Sequence, residues 1–151
     1  DSKSQGIMNR KPRGPEEPVI NKRMIASMIG IGAIMAATGL ILFFSAIKTG
    51  YSLIGAQTML FTFFVMIEMV RIQTIRSRYN QSFLSNRWLV GAIGSSLLLQ
   101  LLVLYTPLHQ YFEVVKLGAT EWAAIGGAVT VFIASTIGMM KLYSHVLPEN
   151  A

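Results

Sequence analysis

The chain has 151 residues, 52% of them hydrophobic and only 13% charged, with a formal net charge of +6 and no cysteine. A soluble domain averages about 25% charged residues, and here the apolar residues come in long blocks, so the composition is that of an integral membrane protein rather than a water-soluble enzyme. The absence of cysteine excludes disulfides, a thiol nucleophile and a thiolate metal site. The basic residues cluster beside the apolar blocks, which argues for membrane topology and against a nucleic-acid partner.

The first segment, residues 1–21, is polar and carries Pro12, Pro15 and Pro18. Such a segment builds no core and favours extended backbone, so it is expected to be a Pro-rich cytoplasmic connector. No apolar secretory leader occurs in its first eighteen residues. The remainder, residues 22–151, is expected to form one four-helix transmembrane domain. The first span is read as residues 24–47, stopped by Lys22 and Arg23 at one end and Lys48 at the other. At 1.5 Å per residue it is about 36 Å long, enough to cross a bilayer with some tilt. Small residues recur four apart at Ala26/Gly30, Gly32/Ala36 and Ala33/Ala37, a pattern that lets helix backbones approach closely in lipid. The short stretch Lys48–Gly55, with Gly50 and Gly55, forces an antiparallel return.

The second span, residues 56–75, holds Glu68 inside its apolar run. Helical spacing puts Glu68 on one face with Phe61, Phe64, Val65, Arg71, Ile72 and Ile75. A carboxylate in a membrane helix costs roughly 3 kcal/mol on insertion scales, and such residues face a bundle interior or an ion path. Two readings follow from the residues alone. Glu68 is either paired locally with Arg71 at i,i+3, or it is an oxygen ligand for a hard cation such as Ca²⁺. Arg71 in turn either pairs with Glu68 and weakens cation binding, or carries its guanidinium on its long stem to the cytoplasmic interface. A basic loop, Arg76–Arg87, follows.

The third span is read as residues 88–105, with Trp88 and Tyr105 as interfacial anchors and Gln100 as an interhelical hydrogen-bonding residue. The connector Thr106–Glu121 has an apolar side at Phe112, Val114, Val115 and Leu117, which suits it to lie along the membrane surface; nothing favours a catalytic role for its His109 or Glu113. The fourth span is read as residues 122–142, with Gly126, Gly127 and Ala134/Gly138 as packing points, and Ser144–Ala151 as a tail. Four spans put both termini on one side of the membrane. That side holds eleven Lys and Arg residues, counting Arg71, and the other holds Lys48 and Lys116. The positive-inside bias therefore makes both termini and the middle loop cytoplasmic, with the spans arranged as two antiparallel hairpins.

Thr58–Ser82 carries Thr58-Met59, then Val65, Ile67-Glu68-Met69, Ser77 and Asn80-Gln81-Ser82. This pattern, a TM-rich helix with V-x-I-E-M followed by S-x-x-N-Q-S, resembles the eighth transmembrane helix of calcium-pumping P-type ATPases of the sarco/endoplasmic reticulum type, and further stretches resemble other parts of the same pumps. Ile7–Ile20 resembles the basic P-x-x-P-x-E-P-(L/I)-I connection between the sixth and seventh helices, through Arg10, Pro12, Arg13, Pro15, Glu17, Pro18 and Ile20. Val103–Trp122 resembles the connection between the ninth and tenth, which opens with a Leu-Tyr motif and ends in T-x-W.

The resemblance implies the last four membrane helices of such a pump. It places a calcium-ligating carboxylate at Glu68, the sole metal-ligand candidate, and implies Ca²⁺ as the transported ion. ATP and Mg²⁺ would act only through catalytic parts that this sequence lacks, since it contains neither D-K-T-G-T nor a G-x-x-x-x-G-K-[ST] loop. The implied partners are the lipid bilayer and the remaining helices and cytoplasmic domains of the pump, and the short first turn suggests the cell membrane of a prokaryote. The domain would brace the transport helices, contribute Glu68 to one cation site, and use the same carboxylate as a proton carrier on the return step. The alternatives are a freestanding four-helix accessory protein and a P-type pump domain for another cation.

Overall fold

The structure, a computed structural model, describes residues 22–78 and 87–146. The described residues form four long helices and no strand: α1 (Lys22–Lys48), α2 (Leu53–Arg78), α3 (Arg87–Tyr105) and α4 (Ala119–Val146), with a short 3-10 turn at Pro107–Gln110 between α3 and α4. Each contains a segment long and apolar enough to cross a membrane: Met24–Lys48, Leu53–Ile72, Arg87–Tyr105 and Ala119–Tyr143. The chain is thus a multi-pass integral membrane protein. The Pro-rich segment 1–21, the Asn80–Ser82 motif and the end of the tail lie outside the described residues. Of the expected basic loop, Arg76–Arg78 continue α2 and Arg87 opens α3.

Helix boundaries run a few residues beyond the hydrophobic blocks because capping, not hydropathy, ends a helix. α1 stops in a Schellman motif. Gly50 adopts φ +93°, Gly50 N–H donates to Ile47 O, and Tyr51 N–H donates to Ala46 O. α2 then starts at Leu53 because Ser52 caps it, accepting from Gly55 N–H at 3.1 Å. The link is therefore only Thr49–Ser52, and Gly55, expected in the turn, lies inside α2. α4 starts at Ala119, ahead of Trp122, because Glu121 reaches back to accept from Gly118 N–H at 2.7 Å, half of a capping box.

The core lies where α1, α2 and α4 meet. Leu42 and Ala46 of α1 pack with Ala56, Met59, Phe63 and Ile67 of α2 and Ile125, Val129 and Phe132 of α4. The α2 residues fall at i, i+3, i+7 and i+11, a single strip of helix surface. Gly39 of α1 faces Leu60, Phe63 and Phe64 of α2, and Gly30 faces Met139 and Tyr143 of α4. Gly32, Gly126, Gly127 and Gly138 have open space where a side chain would grow, so most of the expected small-residue contacts are not made within the described residues. Among the described residues, α3 packs on the bundle through its C-terminal end, where Gln100, Val103 and Leu104 are buried.

Candidate cation site

Glu68 lies on α2 four residues before the end of the apolar segment at Ile72, about 6 Å inside it at helical rise. Its position next to Ile67, which is fully buried, rotates it by about 100° away from the core strip. Phe61 and Ile72, at i−7 and i+4, are exposed with it. The carboxylate therefore stands on a face of α2 that α1 and α4 leave uncovered. Arg71 Nη1 donates to Glu68 Oε1 at 2.9 Å, the local i,i+3 pair, with side-chain exposures of 41% for Arg71 and 55% for Glu68. A pair this open gains about 0–1 kcal/mol in water. One carboxylate offers at most two oxygens, whereas Ca²⁺ takes six to eight. Among the described residues no cluster of three or more metal-ligating side chains occurs, so Glu68 is at most one contribution to a site completed by other groups.

The structure also builds a polar column that the sequence reading did not identify beyond Gln100. Thr58 and Thr62, one turn apart, are both buried in α2, and each hydroxyl donates to the carbonyl four residues back, Ile54 O and Thr58 O. Their oxygens then accept from other elements: Thr62 Oγ1 from Gln100 Nε2 of α3 at 3.0 Å, and Thr58 Oγ1 from Val115 N–H of the connector at 3.2 Å. Gln100 is thus the interhelical hydrogen-bonding residue expected. The column lies about 80–120° around α2 from Glu68 and is satisfied internally.

The two ends of the Val103–Trp122 connection are clasped together. Trp122 Nε1 donates to Tyr105 Oη at 2.7 Å, and Tyr105 Oη donates to Leu117 O at 2.6 Å. This single relay uses the Tyr of the Leu-Tyr pair and the Trp of the T-x-W motif, a connection that sequence alone did not reveal. Between them His109 Nδ1 contacts Thr106 O at 2.7 Å, and Val114 N–H donates to His109 O across Glu113, which adopts φ +50°. Both residues shape the loop. Val115 and Leu117 turn toward the protein, while Leu108, Tyr111 and Phe112 are exposed; the apolar side of the connector is thus divided between the core and the surroundings. In the first turn of α4, the Glu121 carboxylate accepts a hydrogen bond from the Tyr51 hydroxyl and holds the tyrosine's pKa above its ordinary value. A cavity of about 390 Å³ beside the α1–α2 turn is lined by Ser45, Thr49, Tyr51, Met59, Thr120 and Ala124, among others, with no carboxylate. Met59 and Glu68 are about 13 Å apart along α2, so this cavity is not part of the Glu68 site.

Three relatives match most of this chain. A calcium-transporting ATPase of Bacillus subtilis is 27% identical over 140 residues, covering 88% of this chain and 16% of the relative. A calcium-transporting ATPase type 2C member 2 of Mus musculus is 29% identical over 147 residues, covering 93% and 15%. A probable cation-transporting ATPase F of Mycobacterium tuberculosis is 23% identical over 143 residues, covering 89% and 16%. The chain thus spans about one sixth of the length of these curated relatives. Residues 1–143 match the model of the family described as "Cation transporting ATPase, C-terminus", in agreement with the four apolar helices. The chain belongs to that family, the C-terminal region of cation-transporting ATPases.

Proposed function

We propose that this chain is the C-terminal membrane domain of an ATP-driven P-type pump, most simply a Ca²⁺ pump, in which Glu68 supplies carboxylate oxygen to one transport site and the α1–α2–α4 core braces the moving helices. One observation carries the reading: Glu68 interrupts an apolar membrane segment on the face of α2 that its own bundle leaves uncovered. Its place matches the calcium-ligand position that the V-x-I-E-M resemblance implies. The other oxygens, the nucleotide and its Mg²⁺ belong to the remaining parts of the pump. The names of the Bacillus and mouse relatives favour Ca²⁺ as the cargo. The mycobacterial name, which specifies only a cation, keeps a second ion open as the alternative. The charge bias places both termini and the α2–α3 loop on the cytoplasmic side.

The test is Glu68→Gln in the full-length pump. The substitution keeps shape and hydrogen bonding but removes the charge. Equilibrium Ca²⁺ affinity should fall by about tenfold or more, by analogy with the loss of a charged group from a buried polar pair, while phosphorylation by inorganic phosphate is retained. Unchanged affinity for Ca²⁺ and for Mn²⁺ would refute the assignment of Glu68. This chain alone should bind Ca²⁺ only weakly, in the millimolar range or above (~10⁻³ M), because most of the ion's oxygens are missing. Micromolar binding by the isolated domain would place the site elsewhere.

A further inference from the structure

We infer that Arg71 is a built-in counter-cation that competes with the transported ion for the Glu68 carboxylate, thereby lowering affinity and favouring divalent over monovalent cargo. The inference rests on the reading of Glu68 as a cargo ligand, and its test separates the two. The guanidinium already occupies one of the two carboxylate oxygens, with Nη1 at 2.9 Å from Oε1. An ion that takes both oxygens must displace it. The pair stands among Phe61, Phe64, Val65 and Ile72 on an apolar strip, so in a membrane or against other helices it is screened far less than in water. Arginine stays protonated throughout the biological pH range, so the competitor is present whenever the ion is absent.

The geometry also gives the displaced guanidinium somewhere to go. Arg71 lies one residue before the end of the apolar segment at Ile72. Its long stem can lie along apolar surface while the charged group reaches the polar end of the helix. Displacement is therefore a side-chain swing and needs no backbone movement. The charge arithmetic then gives selectivity. A monovalent ion replaces one positive charge at Glu68 by another and gains little. A divalent ion doubles the charge facing the carboxylate, so its attraction exceeds that of the guanidinium it displaces.

The test uses the full-length pump carrying Arg71→Gln, Arg71→Met, Arg71→Lys or Glu68→Gln, with equilibrium binding of radioactive calcium measured without ATP and with Na⁺ or K⁺ as competitor. Both neutral variants should bind Ca²⁺ about tenfold more tightly, the lower end of the coupling between a carboxylate and an adjacent guanidinium. They should also lose part of their discrimination against monovalent ions. Arg71→Lys, which keeps the charge, should stay closer to the unmodified pump than either. A guanidinium that merely held the helix in place would give the opposite sign, weaker binding in every neutral variant. If Arg71→Gln misfolds, Arg71→Met, which keeps the apolar stem, decides the sign. Weaker or equal affinity in the folded neutral variants, with Glu68→Gln still lowering it, overturns the counter-cation role and leaves the ligand role standing. No effect of Glu68→Gln removes the ligand role and the counter-cation role with it.

Discussion

Gly39 should be the glycine on which the α1–α2 seam depends. A methyl group built on it would stand 3.0 Å from Leu60 Cδ1, 3.3 Å from Phe63 Cε1 and 3.4 Å from Phe64 Cζ. Leu60 can yield a few tenths of an ångström at its flexible end, but Phe63 is fully buried and cannot. Gly39→Ala should therefore be close to neutral, because relief of glycine's helix cost, about 1 kcal/mol, offsets the crowding. Gly39→Leu adds three more carbons to the seam and should cost about 1–3 kcal/mol, the usual range for overpacking. Gly127→Leu, with nothing within 4 Å of its would-be side chain, should change the stability of this domain by less than about 0.5 kcal/mol. Unfolding by dodecyl sulfate in mixed micelles, followed by helicity and tryptophan fluorescence, measures all three. If Gly39→Leu and Gly127→Leu unfold at the same detergent fraction, the close approach at Gly39 does not hold α1 to α2. In the pump of the proposed reading, Gly127→Leu would acquire a cost only where other parts cover its face.

The Thr62–Gln100 bond should couple α2 to α3 by about 0.6 kcal/mol and at most ~1.7 kcal/mol, the range for interhelical hydrogen bonds in membranes. A Thr62→Val/Gln100→Leu double-mutant cycle in the same micelles checks this, and strict additivity would refute it. Tyr105→Phe and Trp122→Phe should each cost about 1 kcal/mol, and together less than the sum, since both break one relay. Glu113→Gly should stabilise the connector by about 1 kcal/mol by removing left-handed strain from a residue with a side chain; a loss of stability would mean that the carboxylate has a use that outweighs the strain. Single cysteines at Ser52 and Ser85 in this cysteine-free chain should be labelled from opposite sides of the membrane, with Ser85 on the cytoplasmic side. The reverse would refute the topology derived from charge.

The number and order of helices were legible because about twenty consecutive apolar residues have few other uses. Boundaries were less so, since hydropathy cannot see Gly118, which a reader of apolar runs leaves in a loop and which serves as the cap of α4. The direction in which each helix faces was hardest to read. In a water-soluble helix the polar side marks the outside, but α2 is apolar around most of its circumference. Thr58, Thr62 and Gln100 point inward although they are among its most polar neighbours. Small residues misled in the same way. Gly30 lies at a contact, as its spacing suggested, yet Gly32 and Gly127 have the same chemistry and face open space. Gly39, outside the four-residue pattern, packs directly against Leu60, Phe63 and Phe64 of α2. Glu68 itself was conspicuous in the sequence, and its pairing with Arg71 followed from i,i+3 spacing. On the proposed reading the other oxygens of its site come from outside these residues and could not be read from them.

The uncovered faces of the bundle are not equivalent, and on the proposed reading the difference bears on which side the rest of the pump would occupy. The outward residues of α3 include Leu97, Leu98, Leu99, Leu101 and Leu102, a surface that lipid tails accept without cost. The outward strip of α2 carries Glu68 and Arg71 beside Phe61 and Ile72. Leaving that strip in hydrocarbon would cost several kcal/mol, roughly 3 per charged group at the centre of a helix and less near its end. On the proposed reading, protein covers this strip and lipid covers α3. The energetic penalty of the charged pair then acts as an orienting constraint: it disfavours every assembly that turns α2 outward. Glu68→Gln/Arg71→Gln together would remove that constraint along with the cation ligand. The double variant should therefore tolerate separation of the domain from its partners better than either single neutralisation, which leaves one charge unpaired.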